Sequence, residues 1–452
     1  MNRIRSLFQK EEEQQEYQPL YENGGGLDPE HDEHDVVPFS WVEYSFFVVL
    51  GIAMLWAWNM FFAAASYFQL RFETDDWAVE NFPPAISSVS TLSSLTAMAI
   101  LAKKQHSASY PFRIKLGLGI NAAVFVLLTI SSKYFLHVAA RLYLAFLLFM
   151  VSLTACASAL LQNGAFAFVA CFDRPEYMQA MMAGQGIAGV LPSLVQVVSV
   201  LVMPPPEAGL EADAAESDKG TAAFFYFLTA VAVSIVAMMT FVPLMQRHDR
   251  IVENRMLEHM AASMTSIEEA ERATRKVVSM KTLFRKLPWI CSGIFLCFAV
   301  TMFFPVITPK ILSVAPPKSA LALLRPAAFI PLAFFFWNLG DMLGRAFSLA
   351  LPLSHRPFAL FCISIARAIF VPLYFLCNLH GRGAVVDSDL FYLLLVQFPF
   401  GLTNGWLVSN CMVAAGEWVD EHEREAAGGF MGLCMVAGLA FGSLLSFTAA
   451  GI

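Results

Sequence analysis

Residues 221–246 read TAAFFYFLTAVAVSIVAMMTFVPLMQ, and none of the 26 from Thr221 to Gln246 carries a charge. A run of about 20 apolar residues crosses a hydrocarbon core roughly 30 Å thick. Backbone exposed to lipid must satisfy its own hydrogen bonds, and the ten-residue alternation of a barrel strand is missing, so the stretch reads as a transmembrane helix. On one side stand Pro204, Pro205 and Pro206 and then an acidic segment, Glu207, Glu211, Asp213, Glu216 and Asp218. On the other stands a segment, 247–287, that mixes nine Lys/Arg with six Asp/Glu.

Working outward from this stretch gives ten more, for eleven in all: about 43–70, 83–102, 112–132, 137–168, 178–203, 221–246, 288–312, 324–350, 356–378, 390–415 and 426–450. The sequence thus predicts an all-α integral membrane protein. The charged segment 247–287 divides it into six spans within 41–246 and five within 288–452. Composition agrees: 57% of the 452 residues are hydrophobic and 14% charged, where a soluble protein carries about 25% charge. A net charge of −7 excludes a nucleic-acid partner, which needs a basic stripe. Residues 1–40 are polar, with Glu11 to Glu13, Gly24 to Gly26 and an acidic run from Asp28 to Asp35, and read as a disordered tail without a signal peptide.

Lys and Arg set the orientation. Lys103, Lys104, Arg113 and Lys115 flank the second loop, and Arg247 to Lys286 fill the sixth. Both lie on the side of the N-terminus, which is expected to be cytosolic, leaving the C-terminus luminal or external. Lys310, Lys318 and Arg325, and the acidic run Glu417 to Glu425, run against this assignment; the large sixth loop outweighs them.

Charge inside a span is expensive and marks functional candidates. Asp341 is the only acidic residue deep in a predicted span. Asn338, Asp341 and Arg345 stand at i, i+3 and i+7 on one helix face, and Asp341 and Arg345 are placed to pair. Such a face either lines a polar cavity for a hydroxylated substrate or forms an ion pair that fixes helix packing. Arg367 either joins Asp341 or snorkels. In the fourth span Gln162 and Asn163 are adjacent, so one at most faces a ligand while the other bonds a neighbouring helix. Gln162 offers both a donor and an acceptor, as an amide-bearing ring requires.

Gly184-Gln185-Gly186-Ile187-Ala188-Gly189 matches GxGxxG, but no strand precedes it, so it reads as close helix packing. The same holds for Gly340/Gly344, Gly428/Gly432 and Gly438/Gly442. Pro192 and Pro305 are expected to kink their spans. The eight Cys, with no CxxC pair and no His at metal-ligand spacing, read as small buried hydrophobes. No nucleotide-hydrolysis, nucleophile or metal motif is found, so neither an enzyme nor a cofactor is expected.

The chain resembles the equilibrative nucleoside transporter family, and most its fungal vacuolar members. The resemblance rests on Gly51 to Phe61, Leu161-Gln162-Asn163-Gly164, Gly184-Gln185-Gly186 with Pro192-Ser193, Phe336 to Arg345, Ala366-Arg367 with Phe370 to Leu373, and Thr403-Asn404-Gly405. It implies a major-facilitator-like 6+5 fold with two bundles rocking about a central nucleoside site, by facilitated, alternating-access transport. It also implies that Gln162 bonds the nucleobase, that Asp341 and Arg345 bond the ribose hydroxyls, and that Leu55, Trp58 and Asn338 line the cavity; Asn163, Arg367 and Pro305 are secondary candidates. Nucleobases remain open as substrates. The chain departs from the family at Ala57, where Pro is usual, and at Trp337, where Phe is usual. The alternatives are proton coupling through Asp341, a major-facilitator carrier of another polar solute, and a membrane receptor acting through the 247–287 loop. Tyr17-Gln18-Pro19-Leu20 fits a sorting signal read by an adaptor. With the fungal resemblance and the lack of any Asn-x-Ser/Thr acceptor, it points to a vacuolar or lysosome-like membrane, with the plasma membrane second.

Overall fold

The computed structural model describes residues 39–104, 109–135, 138–172, 174–202, 212–263, 278–316 and 321–449. The tail with Tyr17 to Leu20 lies outside the described residues. Eleven helical stretches are long and apolar enough to cross a membrane: α1 Trp41–Ala63, α2 Asn81–Lys103, α3 Tyr110–Tyr134, α4 Ala140–Ala170, α5 Pro175–Val202, α6 Gly220–Asn254, α7 Pro288–Lys310, α8 Ala327–Ala350, α9 Pro357–Tyr374, α10 Phe391–Glu417 and α11 Glu421–Ser446. The number read from hydropathy is correct. Their outward faces carry Leu92, Phe149, Val236, Phe347 and Leu444 in the open, as suits a surface solvated by lipid.

Each irregularity has a local cause. The first predicted span is split at Ala64 into Trp41–Ala63 and Ala65–Phe72, so the break falls seven residues after Ala57 rather than beside it. Asp75 accepts a hydrogen bond from the Ala78 amide at 3.2 Å and caps the helix leading into α2, a cap that satisfies one orphan donor of the first turn. In α7, Pro305 lacks an N–H and its ring crowds the carbonyl of Thr301; the α-helix stops at Thr301 and resumes at Phe303. Arg367 sits on a 3₁₀ turn, Arg367–Ile369, between two helical pieces of α9. The first seven residues of α10, Phe391–Gln397, form a π-helix just ahead of Pro399.

Two expectations need correction. Pro192 does not interrupt its helix, which runs unbroken from Pro175 to Val202. Proline removes the N–H that the Ala188 carbonyl would have received; Asn59 Nδ2 of α1 supplies that donor at 2.8 Å, so the carbonyl is satisfied and the helix continues past it. The sixth helix does not end at the charged segment but spans Ala212–Ser263. Polarity alone does not stop a helix, and Arg247, His248 and Ile251 find partners in the preceding helices: Arg247 lies 3.6 Å from Glu43, His248 stacks on Phe168 and Ile251 is buried.

The first six helices pack mainly on one another, α1 against α5 and α6, α3 against α4 and α6, and α2 against α4. The last five do likewise, α8 on α10 and α7 on α9, α10 and α11. The two sets meet along α5–α8, α4–α11 and α2–α11. Glycine makes these crossings tight. A Cβ on Gly51 would stand 2.0 Å from the Met181 carbonyl, and one on Gly184 would stand 2.1 Å from that of Val48, so α1 and α5 touch backbone to backbone. Gly344 and Gly405 play the same part between α8 and α10, Gly442 between α11 and α7, and Gly428 between α11 and α4.

Candidate functional site

The candidate site residues divide into a half-buried group and a sealed one. Leu55, Trp58, Gln162, Asn338 and Pro305 are all half-buried. Asp341 is 6% exposed, Arg345 5%, Arg367 2% and Asn163 0%.

One turn of α8 brings Asp341 and Arg345 together: Arg345 Nε donates to Asp341 Oδ2 at 2.8 Å. The other carboxylate oxygen, Oδ1, accepts from Asn404 Nδ2 of α10 at 2.6 Å. Arg345 Nη1 reaches across the seam to α5, where it donates to Gln185 Oε1 at 3.0 Å and to the Met182 carbonyl at 3.2 Å. Gln185 Nε2 in turn points at Met54 Sδ of α1, 3.5 Å away. Two buried charges thus have a counter-ion and further hydrogen bonds, the condition under which an ion pair is tolerated in low dielectric. In this conformation both carboxylate oxygens are occupied by protein donors, and the pair holds α5, α8 and α10 together.

Arg367 does not pair with Asp341 and does not snorkel. Its guanidinium donates to the Cys297 carbonyl at 2.8 Å, the Phe400 carbonyl at 3.2 Å, Thr301 Oγ1 at 3.2 Å and Thr403 Oγ1 at 3.1 Å. It also lies 4.9 Å over the Phe400 ring. The Cys297 and Phe400 carbonyls lie within helices and accept Arg367 as an additional donor, and arginine is the side chain with enough donors to gather four acceptors at once. Thr301 Oγ1 lies 2.7 Å from Asn404 Oδ1, which joins Arg367 to Asp341 through two neutral groups.

On α4, helical geometry turns the adjacent amides apart. Asn163 is buried, accepts from Arg113 Nη1 and donates to the Gly429 carbonyl of α11 at 3.4 Å. Gln162 is left half-buried, its side chain making no hydrogen bond to any described residue. Arg113, counted above as a loop charge, is 6% exposed and also donates to the Lys104 carbonyl at 3.0 Å, closing the end of α2. Asn338 Nδ2 donates to the Phe334 carbonyl at 2.9 Å, and its Oδ1 fills the space above Gly189. Trp58 packs edge-on against Phe62 with ring centroids 5.1 Å apart.

Gln185, Asn404, Thr301 and Arg113 belong to these networks although sequence spacing alone does not single them out. The first three carry a signal, a hydrogen-bonding side chain in an apolar span, but Gln185 stands inside a glycine motif and Asn404 inside Thr403-Asn404-Gly405, where that signal is masked. Cysteine also departs from expectation, for Cys362 is exposed; on α9 a thiol meets lipid as an apolar group does. Among the described residues, Cys171, His248 and Glu425 bring one ligand atom each within 4.8 Å of one another, a cluster that sequence spacing could not reveal because it comes from three separate helices. An apolar cavity of about 560 Å³ opens beside Phe295, Phe361 and Leu433, and no predicted site residue lines it.

The arrangement is that of a two-bundle membrane carrier, and comparison bears on the fold directly. The E. coli fucose:proton symporter FucP, a major facilitator superfamily transporter, superposes with a TM-score of 0.55 at 13% identity, over 91% of this chain and 93% of that one. The chain belongs to the nucleoside transporter family, whose model, described as "Nucleoside transporter", matches residues 148–450. Nucleoside transporter FUN26 of Saccharomyces cerevisiae is 28% identical, covering 90% of this chain and 83% of its own length. Equilibrative nucleoside transporter 1 of Mus musculus is 24% identical, covering 89% and 95%.

Proposed function

We propose that this multi-pass membrane protein is a facilitative nucleoside carrier that works by alternating access, and not an enzyme. The observation that carries the reading is the seam itself. The two helix sets are joined where α2, α4 and α8 end and α5 and α11 begin, through Met98–Gly432, Phe166–Gly428 and Met342–Gly186 packing and the bonds of Arg345 to α5. Helix sets that meet this closely along one end of the bundle supply one state of the two that an alternating-access cycle requires.

Gln162 then faces the substrate with a free amide and reads the base edge, in a pocket walled by Leu55, Trp58 and Asn338. Asp341 and Arg345 offer their charges to ribose hydroxyls when the seam loosens and Gln185 lets go. Hydrogen bonds to charge strengthen as water leaves. The closed end is the cytosolic one on the orientation read from Lys and Arg. The vacuolar or lysosome-like location rests on the fungal resemblance and on the Tyr17 to Leu20 motif as an adaptor site.

The deciding experiment is counter-flow of labelled uridine and adenosine in proteoliposomes. Asp341→Ala should abolish saturable uptake and, by leaving Arg345 without its counter-ion, cost about 3–5 kcal/mol of stability; Asp341→Asn, which keeps the shape and an acceptor, should abolish uptake at a smaller cost, and wild-type uptake in it would remove the carboxylate from the mechanism. Accumulation above equilibrium under an imposed pH gradient would replace facilitated transport with proton coupling.

A further inference from the structure

At the closed end, three side chains converge that have no part in the nucleoside site. Cys171 follows the last turn of α4, His248 lies on α6 and Glu425 on α11, and one ligand atom of each stands within 4.8 Å of the other two. Cys171 is 1% exposed and His248 9%. The thiol donates to Glu425 Oε1. The imidazole is held by stacking on Phe168, with centroids 4.8 Å apart. Its Nδ1 lies 3.5 Å from Asp249 Oδ1, whereas Nε2 is buried without a hydrogen-bond partner. An imidazole that lies beside a thiol and a carboxylate while one of its ring nitrogens is buried and unpaired among the described residues has a lone pair free for a Lewis acid.

We propose that Cys171, His248 and Glu425 form a binding site for a divalent transition metal of the zinc class. Sulfur, imidazole nitrogen and one carboxylate oxygen are the ligands zinc takes, whereas calcium and magnesium require oxygen alone. Three protein ligands leave a fourth position for water, on the side where Glu425 is half-buried. Zn–S and Zn–N bonds of about 2.3 and 2.0 Å require the Glu425 carboxylate, now hydrogen-bonded to the thiol, to step back and admit the ion between them. Binding exchanges the thiol proton for the metal: the S–H bond breaks, a Zn–S bond forms, and the proton passes to water. A second cluster, Asp420, His422 and Glu423, is a poorer candidate because Lys286 Nζ already neutralises it at 2.7 and 2.6 Å.

The site joins the two helix sets, for Cys171 and His248 belong to the first and Glu425 to the second. Resting on the alternating-access reading, a bound metal would hold the closed end shut and stop transport. The full-length protein in liposomes, stripped with chelator and then titrated with Zn²⁺, tests both steps. One equivalent should bind, with Cd²⁺ giving a thiolate charge-transfer band near the ultraviolet limit. Binding should fall at least tenfold in Cys171→Ser and in His248→Ala, both of which keep metal-free uptake. Zn²⁺ should cut wild-type uptake at least fivefold and leave that of the variants alone. Equal Zn²⁺ binding by wild type and variants, or none by wild type, overturns the site. Binding at the site without slowing uptake overturns its role as a clamp. Loss of all nucleoside flux in the metal-free wild type would instead count against the transport reading, since the binding titration needs no flux.

Discussion

At Ala188 a single carbonyl shows how far one residue's chemistry reaches. Pro192 withholds the N–H that this oxygen expects, and Asn59 on another helix provides it. Asn59→Ala should therefore cost about 1–3 kcal/mol, the penalty for a buried unsatisfied group, read as a lower unfolding temperature in detergent. Adding Pro192→Ala restores an N–H within the helix and should recover most of the loss; a double variant as unstable as the single one would show that Asn59 acts otherwise. Asn404 invites the same test. Without it Asp341 Oδ1 loses its donor, and Asn404→Ala should both destabilise the protein by about 1–3 kcal/mol and weaken nucleoside uptake. For Gln162 the expected signature is selectivity: Gln162→Ala should reduce uptake unevenly among nucleosides whose bases differ in edge pattern, and an equal loss for all of them would count against base recognition.

Among elements, the helix crossings were partly legible. Small residues four apart on α8 and α11 do mark close approaches, but the sequence does not say which helix comes near. Gly344 lies against the Leu402 carbonyl of α10 and Gly442 against that of Ala299 of α7, pairings fixed by tertiary packing. A Cβ at Gly405 would stand 1.9 Å from the Asp341 carbonyl, so Gly405→Ala must force α8 and α10 apart. Overpacking of this kind costs about 1–3 kcal/mol or more and should lower the unfolding temperature and uptake together. The turn before α2 adds a pH dependence. Arg141 Nε bonds Asp75 Oδ2 at 2.7 Å, and that bond holds the Asp75 carboxyl below its ordinary value. A carboxylate with a lowered native pKa stabilises fully above its unfolded value near 4 and loses that contribution as pH falls through the native one. The gap in unfolding temperature between wild type and Asp75→Asn should thus be full at pH 7 and shrink steadily as pH falls below about 4; a gap that did not shrink at all on further acidification would rule out titration of Asp75.

Taken whole, the molecule was readable as to class because eleven apolar runs and one lone carboxylate are local signals. The Asp341–Arg345 pair could be placed from spacing alone, since i and i+4 share a face whatever surrounds them. Its partners could not: Gln185 and Asn404 lie 160 or fewer residues away on helices whose facing is decided by the assembled bundle, and Arg113 looked like a loop charge until the chain folded around it. The seam between helix sets makes its own prediction. A Cβ on Gly186 would lie 3.1 Å from that of Met342 and 2.9 Å from its Cα, so a disulfide, whose Cβ atoms stand about 3.5–4.5 Å apart, is in reach once the two helices part slightly. A Gly186→Cys/Met342→Cys protein should lose uptake on oxidation and regain it with reductant, and undiminished uptake after confirmed cross-linking would mean that this seam stays shut throughout the cycle.

The placement of Asp341 and Arg345 on one helix has a bearing on how the halves separate. When α8 draws away from α5, the arginine surrenders a glutamine and a carbonyl but takes its own counter-ion along. No bare charge is stranded in the parting interface, and the resistance to opening is set by two hydrogen bonds to a cation, each about 1.5–3 kcal/mol, instead of by the far larger toll of dividing an ion pair in lipid-like surroundings.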